Sequence, residues 1–244
     1  MTINNRDVRR GGTRPGWFFS IRQRLGDPNL KAMLVFLVAI DLVFLVCHIL
    51  NTYDVAFLDP VWNLGVERSY SEWFQYFKHA GIVVSLGLMA FWARSSLHTA
   101  FAVFFGWVLL DDSLALHEQI GDRFVLALGT SENVGEVIAL AGMGLIFVVP
   151  ILYAYLKVSN LEEKAFSLDI VKLLVVFAVF GGVLDFIDSE IYFSTRFFRY
   201  LFGTLEDFGE NVAISFILTI AFGALALYNR DRQQTLRKSL HRSE

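Results

Sequence analysis

The chain has one cysteine, Cys47, among its 244 residues. An internal disulfide is therefore excluded, as is a metal framework built on thiolates. Catalytic signatures are missing too: there is no Walker loop, dinucleotide fingerprint, His-Glu-x-x-His or Gly-x-Ser-x-Gly. Neither the paired histidines of a seven-span zinc hydrolase nor the Glu-x-x-His pairs of di-iron bundles occur. Polar sequence is scarce, with 18% charged and 55% hydrophobic residues and a mean hydropathy of +0.50. A water-soluble domain of this size needs more polar surface, so the composition points to a membrane protein.

What is present is a set of six apolar stretches, at about residues 32–50, 73–93, 97–116, 134–156, 169–191 and 207–228. Each must be helical, because hydrocarbon offers no partner to an unpaired backbone group. The expected fold is an all-α integral membrane protein whose six transmembrane helices form three hairpins in a compact bundle. Those hairpins would occupy about 32–93, 97–156 and 169–228, giving a membrane domain over 32–228. A basic leader, 1–31, precedes it, and a basic tail, 229–244, follows. The leader has no small-residue cleavage site and is not expected to be a removable signal. Within it, Trp17, Phe18, Ile21 and Leu25 share one helical face opposite Arg22 and Arg24. That pattern fits either a short interfacial helix or an unstructured leader.

Charge sets the expected orientation. Sixteen Lys/Arg fall on the side of the two termini, against five on the other side. Both termini are thus expected in the cytoplasm, in a multi-pass protein of a bacterial inner (plasma) membrane. The acids are distributed the opposite way, sixteen outside against seven inside, with Asp41 within the first span. A net charge of −3 hides a strongly acidic outer end.

The acidic phrase "LGTSENVGE" at 128–136 returns as "FGTLEDFGE" at 202–210. A shift of 74 residues aligns 110–139 with 184–213 without a gap, and nine of those thirty pairs are identical. The reading is a duplicated hairpin, each copy carrying an Asp near the outer end of one helix and two Glu opening the next. On that basis Asp111, Glu118, Glu136, Asp185, Asp188 and Glu210 are the candidate ligands of a divalent metal ion. Glu118 stands seven residues after Asp111, hence on the same face of a continuous helix, whereas Asp112 is expected to turn outward or bond locally. Glu132 and Glu206, in expected first helical turns, favour the helix dipole and are possible additional site residues. His117 and Lys78 belong to the same group; Lys78 needs an acidic partner from the outer end of the bundle or must snorkel outward. Asp41 could relay protons or hydrogen-bond to a neighbouring helix. Arg196 and Arg199 suit headgroup anchoring or a grip on lipid phosphate.

Like charges 4 Å apart repel by about 4 kcal/mol at an effective dielectric near 20. Converging acids must therefore be protonated or neutralised by cations. Carboxylates favour Mg, Ca or Mn, with Zn or Fe if His117 joins. Three functions fit. One is a metal-dependent site at the outer face acting on a lipid or lipid-linked substrate. Another is a small cation- or proton-coupled transporter, and the third a non-catalytic component with a structural acidic rim. The expected partners are membrane lipid and a small-molecule, lipid or ion ligand, with no nucleic acid.

Overall fold

The computed structural model describes residues 25–129, 131–184, 187 and 196–240. Among these the secondary structure is all helical, without strands, and six helices are long and apolar enough to cross a membrane. Helix α1 spans Pro28–Thr52, α2 Tyr70–Ala93, α3 Ser96–Leu114, α4 Leu116–Leu128, α5 Glu132–Lys157 and α6 Leu161–Ala178. A π-helical turn, Val179–Leu184, continues α6, and α7 runs over Arg196–Leu240. The short amphipathic α4 lies between the third and fourth crossing helices. The expected interfacial helix of the leader falls outside the described residues.

Local chemistry explains most of the boundaries. Asp27 accepts from the Asn29 amide at 2.8 Å, and Pro28 opens α1 with its φ already set. Ser69 caps the Glu72 amide and Glu72 reaches back to the Arg68 amide, bracing the first turn of α2. Ser95 caps α3 through the His98 amide, and Asn160 caps α6 through that of Glu162. The Asn160 cap places the start of the fifth crossing helix eight residues before the expected 169. Glu162, Glu163 and Lys164 fill its first turns, where acids favour the dipole.

Two further boundaries differ from expectation. Helix α3 stops at Leu114, because Ala115 adopts a left-handed conformation (φ 48°). Glu118 consequently opens a new helix, and its sevenfold spacing from Asp111 no longer fixes a common face. The repeated phrase also takes two forms. In the first copy Gly129 (φ 69°) ends α4 and Glu132 begins α5. In the second copy the same letters lie inside α7, which is already helical at Arg196. Glu206 is therefore not a first-turn residue.

Helix α7 forms the axis of the bundle. Its spanning stretch is 61% buried, against 11–33% for the other five. Ile214, Ile217, Leu218 and Ala221 pack with Ile82, Leu86, Phe101, Phe105 and Ile170 in one core. Helices α1, α2 and α6 all lean on α7, α2 also packs along α3, and α4 packs along α5. Helices α1 and α2 touch each other little; α7 bridges them. Phe36, Phe91 and Ile146 point away from the core, at 64%, 79% and 68% exposure, as side chains facing hydrocarbon do.

Candidate functional site

The most heavily built polar group lies in the interior, between α1, α2 and α7. Lys78 and Asp41 have no exposed side-chain surface, and Nζ stands 2.9 Å from Asp41 Oδ1. The ammonium also donates to the Asn211 carbonyl (2.8 Å) and Asn211 Oδ1 (2.9 Å), with Ser215 Oγ at 3.3 Å. Ser215 in turn donates to Asp41 Oδ2 at 2.7 Å. Asn211 Nδ2 reaches Ser71 Oγ and the Asp207 carbonyl, and the Phe74 ring lies 4.7 Å from Nζ. Lys78 thus neither snorkels nor turns to the acids of the bundle's end. Its partner is Asp41, the one acid that composition placed at mid-span.

Position 79 follows on the same turn of α2 but faces α3 and α6. His79 is completely buried between the Phe105 and Phe177 rings. Its Nδ1 lies 3.6 Å from Asp112 Oδ2, beyond hydrogen-bonding reach, and neither ring nitrogen has another partner. Asp112 Oδ2 is likewise buried without a hydrogen bond. Asp112 therefore turns inward rather than outward. The pair was not legible: His79 is hidden in the apolar phrase "FKHAGIV", and only the α2–α3 packing brings it to Asp112.

Nearer the end of the bundle, Asp111 is occupied by His117. Its Oδ1 accepts from the His117 amide (2.8 Å) and its Oδ2 contacts the ring Nδ1 (3.1 Å). The break at Ala115 makes this possible by folding the chain back over the carboxylate. Hydrogen bonding to Asp111 raises the His117 pKa above its ordinary value, against an opposing effect of burial. Tyr76 contacts Glu72 and donates to the Asp112 carbonyl at 3.0 Å, tying α2 to α3 at this level.

In both copies the glycine of the Gly-Glu pair admits a close neighbour. A Cβ on Gly135 would stand 2.6 Å from the Gly121 carbonyl oxygen, and one on Gly121 2.9 Å from Glu136 Cγ. Helices α4 and α5 therefore meet backbone to backbone. In the second copy Gly209 lies against the Phe180 ring, and Glu210 packs directly on Gly181 of the π-helical turn. Glu210 also accepts from Gln75 Nε2 at 3.4 Å. A small residue admits the neighbouring element in each case, with the Glu136 stem beside Gly121 in one copy and the Glu210 carboxylate beside Gly181 in the other.

Among the described contacts, Asp111 pairs with His117, Glu136 of α5 lies against Gly121 of α4, and Glu210 accepts from Gln75 and lies against Gly181. Glu118 sits in the first turn of α4 and Glu206 in the interior of α7. Asp185 and Asp188 lie outside the described residues, as do the side chains of Glu132, Arg196 and Arg199. Among the described residues no three His, Cys, Asp or Glu side chains come together as a metal would require. His48 belongs to a different contact that sequence reading missed. Its Nδ1 accepts from the Leu64 amide (3.1 Å) and its Nε2 meets Thr204 Oγ1 (3.0 Å), joining α1, the following loop and α7.

No family model, curated protein or solved structure matches the chain.

Proposed function

We propose that this multi-pass membrane protein is a small transporter that couples movement of its cargo to protons or cations through the Asp41–Lys78 pair. One observation carries the reading: a lysine and an aspartate with fully buried side chains, 2.9 Å apart, within two spanning helices. Ionisable groups at that depth are costly and are characteristic of ion and proton pathways. His79 and Asp112 support the same reading, since a buried imidazole of α2 faces a carboxylate of α3 whose Oδ2 is buried without a hydrogen bond. The reading as a metal-dependent lipid enzyme has less behind it, because among the described residues no three His, Cys, Asp or Glu side chains gather as a metal would require.

The basic excess at one end supports cytoplasmic termini in a bacterial inner membrane. Chain order supports three successive hairpins, the last two from an internal duplication.

The test is proton flux into proteoliposomes containing a pH-sensitive dye, driven by an imposed membrane potential. Wild-type protein is expected to acidify the lumen. Asp41→Leu/Lys78→Met, which lacks the buried charges and whose folding is checked by its melting temperature, is expected to do so no faster than empty vesicles. Equal flux through the two proteins would remove the pair from the mechanism.

A further inference from the structure

At the opposite end from the acidic phrases, α3 and α5 leave an apolar groove of about 500 Å³ between them. Val103, Ile146 and Phe147 line its deeper part, while Ser96, Thr99 and Tyr153 line its mouth. Polarity thus changes along the groove, from hydroxyl-bearing at the helix ends to wholly apolar farther in. Ile146 and Tyr153 are 68% and 63% exposed, so these walls open on the surroundings of the bundle rather than on its core. Pro150, also in the wall, brings no N–H to the Ile146 carbonyl, leaving a hydrogen-bond acceptor in the α5 backbone.

A cation stands at the mouth. Lys157, one turn beyond Tyr153, holds Nζ 5.3 Å from the centre of that ring and has no carboxylate partner among the described residues. Glu163, at the adjoining start of α6, is engaged by Ser95 Oγ at 3.0 Å. Lys164 adds positive charge at the same end, over the Tyr155 ring.

We propose that this groove binds one anionic phospholipid, with an acyl chain along Val103 and Phe147 and the phosphate at Lys157. The apolar depth and hydroxyl-lined mouth match the two halves of such a lipid. The unpaired ammonium supplies the charge preference. A groove of this size falls in the range of small-ligand sites. The inference is independent of the transport reading, since it uses neither Asp41 nor Lys78.

The test uses the full chain, purified, stripped of lipid and offered equal amounts of phosphatidylglycerol and phosphatidylcholine with identical acyl chains. Retained lipid is counted by native mass spectrometry. Wild-type protein is expected to keep one phosphatidylglycerol, with a preference of about fivefold from a single lysine. Lys157→Ala should abolish the preference and Lys157→Arg should restore it. Val103 is 57% exposed, so Val103→Trp fills the groove without entering the core and should lower retention of both lipids. Melting temperatures confirm that each variant is folded. Equal retention of the two lipids by wild type, retention of detergent alone, or an unaltered preference in Lys157→Ala would overturn the proposal. Undiminished retention in Val103→Trp would also overturn it.

Discussion

Ser215 donates from Oγ to Asp41 Oδ2 across 2.7 Å, while the same oxygen lies 3.3 Å from Lys78 Nζ. The hydroxyl thus closes the ion pair into a ring of hydrogen bonds that leaves neither charge exposed.

Removing one charge from that ring strands the other. Lys78→Met is expected to destabilise the protein by about 3–5 kcal/mol, because Asp41 is left buried and uncompensated. Adding Asp41→Leu should recover most of the loss, since apolar replacements of similar volume can match a buried pair. Denaturant unfolding in micelles of the two single variants, the double variant and wild type measures the coupling. Additive losses would show that the two side chains do not interact.

The crossing of α4 and α5 gives a prediction about volume. Gly135→Ala inserts a methyl group 2.6 Å from the Gly121 carbonyl oxygen, so the helices must separate. The expected loss is about 1–3 kcal/mol. Gly142→Ala, farther along α5 with open space around it, is expected to be neutral or slightly stabilising. Melting temperatures of the two variants check the contrast.

His117 gives the pH dependence. The Asp111 hydrogen bond raises its folded-state pKa above its unfolded value of about 6.5. The protonated ring is therefore favoured by folding, and its contribution is fully present below about pH 6.5. It is lost as pH rises through the folded pKa. The stability gap between wild type and His117→Gln should shrink from mildly acidic to alkaline conditions. Asp111→Asn should move the imidazole titration, followed by NMR, back towards its ordinary range.

The six crossing helices are legible because hydrocarbon imposes one requirement on every span: a long apolar run in a closed hydrogen-bonded conformation. Their ends are less so. Ala115 is a good helix former, yet it adopts a left-handed φ where the chain turns back over Asp111. Glu162 and Glu163 read as loop residues, yet the Asn160 cap makes them the first turn of α6. The site was legible in part. Lys78 and Asp41 stand out because each is expensive where it lies, but pairing them requires knowing that α1 and α2 meet through α7. The repeated Gly-Glu spelling suggested common chemistry. In the fold it serves close approach, and the two copies meet unlike partners, Gly121 in one and Phe180 with Gly181 in the other.

Lys78 and His79 leave consecutive positions of one stiff helix, about 100° apart around its axis. Any turn or slide of α2 that pulls the ammonium from Asp41 also changes the spacing between the imidazole and Asp112.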